Sequence, residues 1–183
     1  DASASERRTS RGASGGVRGR TAARLAAVQA LYQIEVGGAS VEQVLKDCLL
    51  HRISLFALAD DPESQSEVAV GLVAPDAELL SALVRGASER CQEIDRLVGD
   101  CLSPGWRSER LEAVVRSILR AGAFELLERP DVPPRVTISE YVDVARAFYD
   151  GPEPGLVNAV LDRMARTLRP EELSHRGENA GSQ

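Results

Sequence analysis

Aromatic residues are scarce in this chain of 183 residues: one Trp, three Tyr and three Phe amount to 4% of it. A core so poor in rings has to be filled by Leu, Val and Ala, which pack well between helices, whereas strands draw more heavily on Ile, Tyr, Phe and Thr. Cysteine is nearly absent as well. Cys48, Cys91 and Cys101 form no CxxC pair, and their odd number argues against a disulfide framework and for a reducing, cytoplasmic setting. The two histidines, His51 and His175, stand far apart; Cys48 and His51, three positions apart, read as a core cysteine beside a surface histidine better than as half a metal site. No apolar run approaches the roughly 20 residues of a membrane helix, and the first residues lack a signal-peptide core. Neither GxGxxG after a strand nor GxxxxGK[ST] occurs, so Gly12, Gly15, Gly16 and Gly19 read as flexible spacing and not as a phosphate cradle. Paired acids such as Asp60-Asp61 and Glu171-Glu172 read as solvated, and no nucleophile has a plausible base. The chain therefore offers no catalytic residue, no metal site and no cofactor site.

What it has in quantity is unevenly placed charge. The net charge is −6, yet residues 1–24 carry six arginines (7, 8, 11, 18, 20 and 24) against Asp1 and Glu6, which leaves that segment at +4 and the remainder at −10. An acidic body does not suit unspecific nucleic-acid binding, while a basic arm on it can deliver a local phosphate contact. A plain solubilising tail is the competing reading of the same arginines.

Residues 1–17 contain almost nothing apolar, so they predict a disordered basic arm. Thr21 to Val36, with Ala27, Leu31 and Ile34 at helical spacing and Gly37-Gly38 as a stop, predicts a first helix. Ser40 and Gln43 form a capping box ahead of a second helix, whose face is Val41, Val44, Leu45, Cys48 and Leu49 and whose end falls near Leu58. Asp60 to Pro75 reads as a loop. Asp76 caps a long third helix running to Cys101. Ser108 caps a fourth that ends before Pro130, Thr137 or Ser139 begins a fifth carrying Tyr141, Val142, Ala145 and Phe148, and a sixth covers about Gly155 to Leu168. The result is an all-α, single-domain bundle of about six to seven helices over 18–169, between the arm and a flexible tail at 170–183.

The passage from arm to helix carries the one recognisable chemistry. Arg18, Arg20 and Arg24 precede Gln29 and Tyr32, and guanidinium forks grip phosphate while a Tyr ring can stack on an unpaired base. Tyr32 as a core residue beside solvated arginines is the alternative.

Two segments bear a family resemblance. ARLAAVQALY at Ala23–Tyr32 and RSILRAGAFELLERPDVPPRVTISEYVDVARAFYDGPEPGLVNAVLD at Arg116–Asp162 resemble, in this order, the opening helix and the diagnostic ILR…A.YEL, D.P..V.INE and FVNGVLD stretches of the NusB family of transcription antitermination factors. The resemblance spans about Arg20 to Arg169. It implies an all-α, non-enzymatic RNA-binding protein that pairs with NusE, a small-subunit ribosomal protein, on single-stranded boxA RNA, and joins RNA polymerase through other Nus factors to promote read-through in ribosomal RNA operons. Homodimers are also implied for some members. By position, the resemblance assigns Arg18, Arg20, Arg24, Gln29, Tyr32, Gly155 and Leu156 to RNA, and Glu109 and Arg116 to NusE. Thr21, Ala22 and Ala23 thin the family's arginine run, Val115 stands where an acid is common, and Ser139 and Ala159 replace an Asn and a Gly of the motifs. Three arginine contacts to a single strand imply a log–log salt slope of roughly −2. Two other identities are open from sequence: a helical protein-interaction module that never touches RNA, and the NusB-like targeting domain of a ribosomal RNA methyltransferase.

Overall fold

In a computed structural model of the chain, the structure describes residues 3–50, 74–104 and 110–174, with side chains from Gly16 onward. These residues form eight helices and no strand. They are α1 (Ser3–Gly37), α2 (Val41–Leu50), α3 (Ala77–Glu89), α4 (Cys91–Cys101), α5 (Ala113–Glu128), α6 (Pro134–Phe148), α7 (Glu153–Leu168) and α8 (Pro170–Ser174). The expected loop from Asp60 lies outside the described residues up to position 73, as do His51, Ser108, Glu109 and His175.

α5 is the axis of the bundle. Its sequence is apolar nearly all round, which suits a helix enclosed on every side, and Val115, Ile118, Leu119, Ala121, Ala123 and Leu126 are all buried. α1, α3, α4, α6 and α7 pack around it. Small residues set the spacing. A Cβ on Gly122 would sit 2.9 Å from Leu161 Cδ1, and one on Gly86 would fall 2.0 Å from Cζ of Phe124, so α7 and α3 approach α5 as closely as glycine allows. The fully enclosed Leu80, Leu83, Ile94, Leu119, Leu161 and Met164 stabilise this core by about 1.5–3 kcal/mol each.

Several boundaries follow the local chemistry. Asp76 Oδ1 accepts from the Leu79 amide at 3.0 Å, the anticipated cap. The Ser40 box is half made: Ser40 Oγ accepts from the Gln43 amide at 3.2 Å, but the Gln43 side chain turns to Asp47 instead of reaching back. The chain reverses into α2 through Gly38, at φ 66°, which a side chain would strain.

Other boundaries differ from the sequence reading. α1 spans Ser3–Gly37, so its described start precedes Arg18. The long third helix breaks at Arg90, whose φ and ψ of −101° and 20° are non-helical; its guanidinium is held by Glu93 on α4 and Glu128 on α5. α5 begins at Ala113 behind Glu112. α6 begins at Pro134, not Thr137 or Ser139, since a proline in the first turn lacks only an amide that has no helical partner there. Beyond Arg169 the tail forms α8, pinned where the Arg169 guanidinium donates to the carbonyls of Arg129 and Pro130. Leu49 and Phe148, read as core positions, are exposed.

Candidate nucleic-acid interface

The leading edge of α1 separates the three arginines. Arg18 and Arg20 are exposed and neither makes a hydrogen bond with the described residues, though the stronger hold of Arg129, together with the Arg20 charge, keeps the Asp131 carboxyl below its usual value. Arg20 lies in a groove walled by Val17, Asp131, Val132, Pro133 and Val136. Arg24 is four residues on and entirely different: its side chain is 4% exposed. Its Nε donates to both Glu125 oxygens at 3.2 and 3.0 Å, its Nη2 to Oε1, and its Nη1 lies 3.3 Å from Glu140. Tyr141 completes the site by donating to Glu125 Oε2 at 2.8 Å. Burial opposes the Arg24 charge, and Glu125 and Glu140 outweigh that and hold its pKa above the ordinary value. Burial, then the Glu125 charge and hydrogen bond, push the Tyr141 phenol well above its usual range. Arg24 is therefore corrected from an RNA contact to an internal strut tying α1 to α5 and α6. A free phosphate would have to displace two carboxylates to reach it.

Further along α1 the side chain of Tyr32 is exposed, which removes its reading as a core residue. Positions 18, 25, 29 and 32 fall within one sector of a helix that turns 3.6 residues at a time, so Arg18, Gln29 and Tyr32 share a face. Gln29 and Tyr32 line a groove of about 300 Å³ with Val28, Gln33, Val114 and Phe148. It is an aromatic-edged, mostly apolar slot. Gln29 Oε1 is buried beside it without a hydrogen-bond partner, an unsatisfied acceptor of the kind that native proteins seldom leave. Phe148, read from sequence as part of the apolar face of its helix, instead lines this slot; its place at the very end of α6, next to Tyr149 and Asp150-Gly151-Pro152, is the signal that could have set it apart.

Gly155 and Leu156 lie in the first turn of α7. Gly155 is exposed with open space at its Cβ position, while Leu156 is half-buried against Leu111, Glu112 and Val115 in a separate cleft of about 180 Å³. Val115, where the resemblance led us to look for an acid, is a wall of that cleft and buried. Arg116 is committed within the molecule: Nε donates to Glu35 Oε1 at 2.7 Å and Nη1 to the Leu111 carbonyl at 2.9 Å. Glu35 also receives Arg120, whose other donors take both oxygens of Asp95. The surface expected to face a partner is thus a closed ion network at Arg116, and Glu109 lies outside the described residues.

Nothing among the described residues groups three or more potential metal ligands. Burial raises the thiol pKa of Cys48, Cys91 and Cys101, which favours the protonated thiol at each. No described helix is long and apolar enough to cross a membrane.

Comparison with known proteins places this geometry. The chain is 51% identical over 157 residues to the transcription antitermination protein NusB of Rhodospirillum rubrum, covering 82% of this chain and 85% of that one. In structure it resembles T. maritima NusB, with a TM-score of 0.66 and 28% identity over 84% of this chain and 96% of that one. A crystal structure of the antitermination factors NusB and NusE in complex with double-stranded RNA shares the fold, at a TM-score of 0.63 and 23% identity over 82% and 98% of the respective chains. The NusB family model matches residues 21–166, from the first buried turn of α1 to the last turns of α7, and this chain belongs to the NusB family.

Proposed function

We propose that this protein is a transcription antitermination factor that binds boxA RNA together with NusE and, through other Nus factors and RNA polymerase, promotes processive transcription of ribosomal RNA operons. The observation that carries the RNA contact is the pair of exposed guanidinium groups, Arg18 and Arg20, neither of them hydrogen-bonded to a described residue, on the helix that also presents Tyr32. Phosphates sit at Arg18 and Arg20, an unstacked base enters the slot between Tyr32 and Phe148 beside Gln29, and the strand continues toward Gly155 and Leu156. NusE docks at the start of α5, where Arg116 acts by fixing Glu35; Glu109, outside the described residues, is the other position the resemblance assigns to this partner. A related NusB and NusE pair is known to hold RNA in one complex, which supports joint binding here.

The test is a mobility shift with boxA and scrambled RNA, each single-stranded and double-stranded, with and without NusE. Tighter binding of single-stranded boxA, strengthened by NusE, is expected. Equal binding to every RNA under all conditions removes the antitermination reading. An RNA-independent protein-interaction module is recognised by Arg18→Gln with Arg20→Gln leaving every measured association unchanged.

A further inference from the structure

A second cationic groove lies on the far side of α6 from Arg20, outside the interface proposed above, and Arg135, Ser139, Asn158 and Asp162 of the motif stretches line it. It is an opening of about 380 Å³ between α6 and α7, lined by Arg135, Ser139, Arg146, Asn158, Asp162 and Arg166 over a floor of Ile138 and Val142. Three arginines converge there on a chain whose net charge is −6. Arg135 has no carboxylate partner among the described residues; one Nη donates at 3.3 Å to the Leu173 carbonyl, and the side chain is exposed. Arg146 and Arg166 pair with Asp143 and Asp162 on their own helices, with side chains 67% and 68% exposed, and pairs so open to water are worth little and readily exchanged. Ser139 and Asn158, both exposed, make no hydrogen bond with the described residues. No aromatic ring lines the groove, so it can grip a backbone but cannot stack a base.

We propose that this groove binds the phosphodiester backbone of RNA that continues past the α1 contact, as a sequence-independent extension of the interface. The proposal rests on the RNA-binding reading above. Continuity favours RNA over an acidic peptide. Pro133 and Val136 wall the Arg20 groove, while Arg135, Ile138 and Ser139 line this one, so consecutive residues of the first turns of α6 form the ridge between the two. A strand held at Arg20 and crossing that ridge enters beside Arg135.

The experiment compares a short boxA RNA with the same RNA lengthened by about 10 nucleotides of unrelated sequence at either end, a span within the range single-strand sites occupy, on the full chain. The longer RNA is expected to bind more tightly, with a log–log salt slope steeper by about 0.7 if Arg135 alone adds a contact and by about 2 if all three arginines do. Arg135→Gln with Arg146→Gln and Arg166→Gln should erase that gain and leave short-RNA binding intact; Arg18→Gln with Arg20→Gln should weaken both. Circular dichroism and the retained short-RNA affinity report that the triple variant is folded. Equal affinity and slope for short and long RNA overturn this proposal while sparing the proposed function, and so does a gain that survives the triple variant. Binding of a poly-glutamate peptide, competed by neither RNA, assigns the groove to an acidic partner and overturns it as well. Failure of any RNA to bind removes both readings.

Discussion

Arg20 and Arg24 sit one helical turn apart and do opposite work, because only one of them meets a carboxylate inside the bundle. Glu125 is fully buried and takes all its partners from Arg24 and Tyr141. Arg24→Ala therefore strands a buried charge, and urea unfolding should register a loss of about 3–5 kcal/mol; Arg20→Ala should change stability by less than about 0.5 kcal/mol. The phenol of Tyr141 adds a pH dependence. Its folded pKa lies well above the unfolded value of about 10, so the folded state holds the proton more tightly. Stability from this group is complete below pH 10 and declines as pH rises beyond it. Unfolding measured at pH 8 and pH 11 should show that decline, shallower in Tyr141→Phe. The sequence contained a clue that spacing alone did not use: Glu125 is the lone acid in the apolar stretch ILRAGAFELL, and an enclosed carboxylate demands a cation from elsewhere in the fold.

Helices were legible where their own residues decide them, and illegible where a neighbour does. The stripe of Val157, Val160, Leu161 and Met164 is buried as its period required, and Asp76 caps α3 because the cap is a contact three residues long. The break at Arg90 could not be read locally, since Glu128, 38 positions away, supplies part of the grip. Phe148 continues the apolar pattern of α6 but lies past the edge of its neighbours, so periodicity counted it as core. The α3 to α5 contact makes its own prediction. A methyl group at Gly86 collides with the Phe124 ring, so Gly86→Ala should cost about 1–3 kcal/mol by thermal unfolding, and Phe124→Leu should recover part of it by making room.

At the scale of the molecule, the body is acidic and its cations are almost all arginine, with Lys46 as the single lysine. Among the described residues most arginines pair with a neighbouring carboxylate, such as Arg116 and Arg120 with Glu35 and Arg90 with Glu93. In the proposed interface RNA binding falls to the exposed arginines, and with Arg24 held inside the bundle α1 would supply two phosphate contacts, Arg18 and Arg20, in place of three. The salt slope on a short single strand becomes about −1.4 in place of roughly −2. The family was visible in the order of its motifs, whereas the division of labour among its arginines depends on which face of α1 the bundle covers.

The most direct test is the salt dependence of affinity for short single-stranded boxA RNA, measured on the native protein and on Arg18→Gln with Arg20→Gln. A slope of about −1.4 that collapses toward zero in the double variant, with helicity and unfolding midpoint retained, is the predicted result. A folded double variant that keeps the full slope would place the RNA elsewhere and contradict the assignment of these two side chains.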